Sequence, residues 1–167
     1  MRESLRQAGQ RLMVGFEGHE PSADLRALIR QYGVGHVILF ARNVAEPEQV
    51  AELVRELQAA AREARHELPL LVAVDQEGGR VARLREPWTV WPAQRAIGRS
   101  GSEELARRMG GALAFELKAC GIRCDFAPVV DVDSNPKNPI IGDRSFGGDP
   151  ELVGRLGAAL IQGLQDG

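Results

Sequence analysis

The sequence predicts an α/β fold built from four successive βα units around a parallel sheet. Two observations carry this reading. Short, β-branched apolar runs alternate with longer amphipathic stretches, the pattern of strand–helix crossovers. The strand runs are also apolar almost throughout, as expected of strands covered on both faces.

The first run, Arg11–Phe16 (RLMVGF), precedes a weaker amphipathic stretch over Ser22–Tyr32. The second, Gly35–Phe40 (GHVILF), leads into Pro47–Arg65, where Val50, Leu53, Val54 and Leu57 recur at the i, i+3, i+4, i+7 spacing of one buried helical stripe. Pro47 suits a first helical turn, where a missing N–H costs nothing. The third run, Pro69–Asp75 (PLLVAVD), is followed at a distance by Ser102–Ala119, which sets Leu105, Met109, Ala112, Leu113 and Leu117 on one face. The fourth, Cys124–Val132 (CDFAPVVDV), leads to Pro150–Leu164, with Leu152, Leu156, Leu160 and Leu164 as its stripe. Asp149 before Pro150 reads as an N-cap followed by proline at the first helical position.

Four βα units fit two architectures. A length of 167 residues favours a small doubly wound domain, since a complete (β/α)₈ barrel takes about 250 residues. The long loops Gln76–Gly101 and Asp133–Gly148 favour half of such a barrel, because barrel enzymes carry their function in the loops after the strands.

Composition narrows the function. With 44% hydrophobic and 26% charged residues the chain can bury a core. Twenty-one basic against 23 acidic residues leave a net charge of −2, no field for holding nucleic acid or an anionic membrane, so neither is an expected partner. No stretch reaches the roughly 18 apolar residues of a bilayer span. The N-terminal segment is interrupted by Arg6, Gln7, Gln10 and Arg11 and lacks the apolar core of a secretory signal, so the expected compartment is the cytoplasm. Cys120 and Cys124 are too few for a disulfide framework or a metal cluster and are expected to be buried.

Two loops could carry chemistry. The first reads Asp75-Gln-Glu-Gly-Gly-Arg80-Val-Ala-Arg83: a carboxylate at a strand end, two glycines that let backbone approach a ligand, then arginines. This describes a cradle for a polar small molecule, or a solvated surface turn. Neither a dinucleotide fingerprint nor a phosphate-binding P-loop is present. The second loop runs from Asp131 to Gly148. Its Asp131, Asp133 and Asn135 imitate the start of a calcium loop, but Pro136 and Gly142 occupy positions that need Gly and Glu, so no metal is expected. Pro128, Pro136 and Pro139 stiffen a segment that must place Arg144, or else form a structural rim. His36 reads as a core histidine, His66 as a helix-end charge complement, and His19 has no assigned role. No serine or cysteine has the setting of an acyl-transfer nucleophile.

ILFARN (Ile38–Asn43), VDQEGGRVARL (Val74–Leu84), FAPVVDV (Phe126–Val132) and NPIIGDRSFG (Asn138–Gly147), in this order and spacing, resemble the N-terminal half of family 3 glycoside hydrolases. Within that family the similarity is strongest to the bacterial β-N-acetylglucosaminidases of cell-wall recycling. The resemblance implies a (β/α)₈ TIM barrel, of which residues 1–167 would supply the first four βα units as a half-barrel domain. It further implies retaining hydrolysis of terminal β-linked N-acetylglucosamine from peptidoglycan-derived fragments, without a cofactor; the alternative is a non-catalytic carbohydrate-binding or assembly half-barrel. Asp75, Arg83 and Arg144 fall on the family's sugar-binding positions. The family's K-H-F-P-G-H-G motif, Asp-x-His segment and nucleophilic Asp have no counterpart in this chain, so the catalytic residues are expected beyond Gly167. A half-barrel would leave its outer strands open to self-association.

Overall fold

A computed structural model describes residues 2–167. Helix α1 (Arg2–Gly9) precedes β1 (Met13–Val14), α2 (Ala23–Ala27), β2 (His36–Leu39), α3 (Pro47–Glu63), β3 (Leu71–Val74), α4 (Gln94–Ser100), α5 (Glu103–Ala119), β4 (Cys124–Asp125) and α6 (Pro150–Asp166). The chain forms two compact units. One comprises the residues up to Val74 with Ala119–Asp125; the other comprises Asp75–Lys118 with Phe126–Gly167.

The first unit holds the sheet. All four strands are parallel in the order β1-β2-β3-β4, with Met13 opposite His36, His36 opposite Leu71 and Ala73 opposite Cys124. A doubly wound sheet reverses its strand order at a switch point, whereas barrel strands follow one another around the sheet. The uninterrupted order therefore places the fold in the α/β barrel class and removes the doubly wound alternative.

The strands are shorter than their apolar runs, and the ladder of β4 ends at Asp125 although the run continues to Val132. Pro128 has no N–H to donate to a ladder beyond that point. The strands are also less evenly covered than expected. In β2, Val37 and Leu39 are buried while His36 and Ile38 are half-buried. His36 is therefore not a core histidine.

Helix α3 buries the expected stripe of Val50, Leu53, Val54 and Leu57 together with Ala60 and Ala61. Its Gln58 amide donates to Leu70 O and accepts from Leu70 N, fixing the entry into β3. The weak stretch 22–32 is a short helix capped by the Ser22 hydroxyl, which accepts from Leu25 N, and it continues into a π turn over Leu28–Tyr32. His66 does more than complement a helix end. Its Nε2 donates to Ile29 O at 3.0 Å, and Gln10 Nε2 lies 3.5 Å from its Nδ1, so the ring joins the turn after α1, the π turn and the segment after α3.

The second unit packs α4, α5 and α6 around Ile97, Met109, Leu113, Phe146, Val153, Leu156 and Leu160. Leu105 and Ala112, expected in the α5 stripe, are exposed. The buried face is Ala106, Met109, Gly110, Leu113, Ala114 and Leu117, because small residues let α6 come close. A Cβ on Gly110 would lie 2.2 Å from Leu160 O, and one on Gly163 would lie 2.0 Å from Arg107 O.

Gly163→Ala should therefore lower stability by about 1–3 kcal/mol, as overpacking does. Gly154→Ala on the open face of the same helix, where a Cβ meets nothing within 4 Å, should raise it by up to about 1 kcal/mol through helix propensity. Urea denaturation of both variants checks the pair.

Cys120 is buried but Cys124 only half so. Burial, and then the Asp125 carboxylate, push the Cys124 thiol up from its ordinary value. The unfolded chain thus loses this proton at a lower pH than the folded one, so stability is retained below the ordinary thiol range and falls as pH rises through it. The urea midpoint should decline above about pH 8.5, and Cys124→Ser should remove part of that decline.

Candidate functional site

The site lies within the second unit and begins where β3 ends. Asp75 directly follows Val74, and the next nine residues form a tight turn closed from inside by one side chain. The Gln76 amide, 1% exposed, accepts from Arg83 N at 2.8 Å and Leu84 N at 3.0 Å and donates to Leu84 O at 2.8 Å. Glu77 N donates to Val81 O across the same turn. Gly78 and Gly79 sit at φ 93° and 58°, where a side chain is strained, and Cβ atoms there would lie 2.4 Å from Pro92 O and 2.7 Å from Ala93 Cβ. The paired glycines of the motif are thus required by the fold as well as by any ligand.

The turn presents four charged groups. Arg83 Nη2 donates to Asp75 Oδ2 at 2.9 Å, with both side chains about one-quarter exposed. Glu77, almost wholly buried, accepts from Arg144 Nε at 2.8 Å and Arg144 Nη2 at 2.7 Å, a two-point contact between carboxylate and guanidinium. Arg80 points along the second loop, with Nε donating to Asp143 Oδ1 at 3.0 Å and Nη2 contacting the carbonyls of Pro139, Ile140 and Ile141 at 2.6–3.2 Å.

The second loop carries Arg144 on a single 3-10 turn, Gly142–Arg144. Arg95 of α4 holds it from the other side, donating to Asp133 Oδ2 at 2.5 Å, Gly142 O at 2.9 Å and Ser145 O at 3.2 Å. Ser145 is fully buried, its hydroxyl donating to Asp131 O at 2.6 Å and accepting from Gly147 N. Prolines alone do not hold the loop in place; two arginine side chains bound to its carbonyls do.

The Glu77 carboxylate bonded to its guanidinium holds Arg144 above the ordinary arginine value. Partial burial opposes this, while the Asp131 and Asp75 carboxylates add to it. Arg144 is therefore a permanent cation. Asp75 and Arg83 form one ion pair and Glu77 and Arg144 another on the same turn, near enough for the Asp75 carboxylate to act on Arg144. Each of the four arginines here faces an acidic partner: Arg83 with Asp75, Arg144 with Glu77, Arg80 with Asp143 and Arg95 with Asp133. The cluster is rich in hydrogen-bonding groups yet compensated in charge, which suits a neutral polyhydroxyl ligand better than a polyanion. Asp131, the other acid the sequence sets at a strand end, is exposed.

Glu77, Arg95, Asp133 and the Gln76 staple were not legible as site residues. Glu77 stands inside the DQEGGR motif, but its partner is 67 residues away, and Arg95 lies in a helix that the hydrophobic pattern does not announce.

This arrangement, paired charges on the loops that follow parallel strands, defines an α/β protein of the barrel class. Residues 4–167 match the glycosyl hydrolase family 3 N-terminal domain, and the chain belongs to that family. It is 44% identical over 154 residues to a β-hexosaminidase of Pseudomonas aeruginosa, covering 92% of this chain and 44% of that protein. It is 40% identical over 177 residues to β-hexosaminidase A of Pseudoalteromonas piscicida, covering 94% of this chain and 30% of that one. Among solved structures it superposes on a family 3 β-N-acetylglucosaminidase from Paenibacillus with a TM-score of 0.94 and 48% identity over 97% of this chain and 31% of that one. NagZ from Neisseria gonorrhoeae gives a TM-score of 0.84 and 36% identity over 92% of this chain and 45% of that one. The chain thus spans less than half the length of these relatives.

Gln76→Leu should keep the volume of the staple but orphan the Arg83 and Leu84 amides, each costing on the order of 1–3 kcal/mol. A matching loss of stability in urea denaturation, with Val81–Leu84 amide exchange accelerated before the rest of the chain, is the expected outcome.

Proposed function

We propose that this chain is the sugar-binding, N-terminal half-barrel of a glycosidase that removes terminal, non-reducing β-linked N-acetylglucosamine from peptidoglycan-derived fragments in the cytoplasm. The observation that carries the reading is the charge-compensated cluster, in which Asp75 and Arg144 are each fixed on one side by a protein partner. Among the described residues, Asp75 Oδ1 has no donor, which leaves it to accept sugar hydroxyls. Arg144 keeps N–H groups beyond those bound to Glu77, and Arg83 completes the recognition surface. The names of the relatives agree with the reaction class.

In this reading binding and bond-breaking are divided along the polypeptide. Asp75, Arg83 and Arg144 hold the sugar. The general acid/base and the nucleophile of the retaining double displacement come from sequence beyond Gly167, and no cofactor takes part. Groups that bind ground state and transition state equally do not accelerate hydrolysis. In the four-stranded sheet β1 and β4 are the outer strands, and their unpaired edges favour self-association of the isolated chain.

The test compares the 167-residue chain with the polypeptide extended to the length of its relatives, following release of 4-nitrophenol from the β-N-acetylglucosaminide. The short chain should give no turnover, and light scattering should show it larger than a monomer. The extended chain should turn over, and Asp75→Ala there should weaken N-acetylglucosamine inhibition by about 10- to 100-fold, the loss of charge-assisted hydrogen bonds. Turnover by a monomeric 167-residue chain, or unchanged inhibition in Asp75→Ala, would overturn the proposal.

A further inference from the structure

Arg144 sits on a loop, on a single 3-10 turn, yet its head group is held at two points by one buried carboxylate. The work is divided. Arg80 grips the carbonyls of Pro139, Ile140 and Ile141, and Arg95 grips Gly142 O and Ser145 O, so these two arginines hold the loop's backbone. Neither orients the guanidinium of Arg144. Apart from a 3.3 Å contact from Nη1 to Ile140 O, that falls to Glu77 alone, which engages Nε and Nη2 together. A guanidinium bound through this edge keeps its plane and turns Nη1, with the outer hydrogen of Nη2, toward the opposite side.

The Glu77 side chain is 6% exposed, against 23% for Arg144. Burying an ion pair this deeply is a poor way to gain stability, since apolar residues of equal volume commonly do as well or better. Orientation and charge are what the pair provides and an apolar pair does not. Glu77 cancels the Arg144 charge as Asp75 cancels that of Arg83, so a ligand meets directional N–H donors without a net positive field.

We infer that Glu77 is a positioning and specificity-determining residue: it fixes which N–H donors of Arg144 face the ligand, and its charge makes the site select neutral over anionic sugars. The positioning half stands on the geometry alone; the selectivity half rests on the sugar-binding reading above.

The experiment uses the 167-residue chain labelled with ¹⁵N-arginine, the Arg144 Nε–H resonance being identified by its loss in Arg144→Lys. In the wild type this resonance should be shifted downfield and exchange slowly with water, as a charge-assisted bond requires. In Glu77→Gln it should move upfield and exchange faster. An unchanged resonance would overturn the positioning role whatever the sugars do.

Each protein is then titrated with N-acetylglucosamine and with glucuronate, an anionic sugar. Glu77→Gln should shift the affinity ratio toward glucuronate by tenfold or more. Glu77→Asp, which keeps the charge but shortens the reach, should retain the preference for the neutral sugar while loosening the Arg144 resonance. If Glu77→Gln fails to give the dispersed spectrum of the wild type, Glu77→Asp decides the positioning role through that resonance. An unchanged affinity ratio in a folded Glu77→Gln would overturn the selectivity role. Binding of neither sugar by the wild type, with Arg144 still clamped, would overturn the sugar reading and the selectivity claim together and leave the positioning result standing.

Discussion

A carboxylate as deeply buried as Glu77 must have a cationic partner, and the site is organised around meeting that requirement. Leaving the charge unpaired in a low-dielectric interior would cost several kcal/mol. The partner, Arg144, comes from 67 residues further along the chain. To deliver it, the loop over Asp131–Gly148 must be held against the turn after β3, and the fixed positions of Arg80, Arg95 and the buried Ser145 hydroxyl follow from that demand. Gln76 closes the turn from below and lets Glu77 face the loop.

The backbone constraints act in the same direction. Gly78 and Gly79 allow the turn to press against Pro92 and Ala93, and Gly98 lets α4 approach Phe146 O, where a Cβ would lie at 1.7 Å. Gly110 and Gly163 bring α5 and α6 together with backbone nearly in contact. The second unit is thus a close-packed helical support under two loops, and the precision of the arginine contacts depends on that support. A site built on such loops would otherwise be mobile, since connecting segments make few packing contacts of their own.

Compensation of charge explains how a chain with 21 basic residues can carry an arginine-rich site without becoming an anion trap. Each guanidinium has a carboxylate at hydrogen-bonding distance, so the cluster offers direction in place of field strength. The chain belongs to the glycosyl hydrolase family 3 N-terminal domain family, and a cluster of this kind offers hydrogen bonds rather than net charge to whatever it meets.

Hydrophobic periodicity is a local property, so the sequence by itself determined what depends on it. It marked the strand runs, the α3 stripe of Val50, Leu53, Val54 and Leu57, the Asp149–Pro150 start of α6 and the α/β class. The ordered motifs singled out Asp75, Arg83 and Arg144. Periodicity failed where tertiary packing overrode it: small residues, not Leu105 and Ala112, form the buried face of α5, because α6 approaches too closely for larger ones. It missed α1 and α4, whose helices lack a long apolar stripe. Strand order was decided only in three dimensions, since a doubly wound sheet and a barrel share the same βα alternation. The partners of the charged residues were also decided there, because the pairing of Glu77 with Arg144 and of Arg95 with Asp133 joins residues far apart in the chain. No local pattern encodes such pairs; they exist because folding brings two loops to one place and a buried charge must find its opposite.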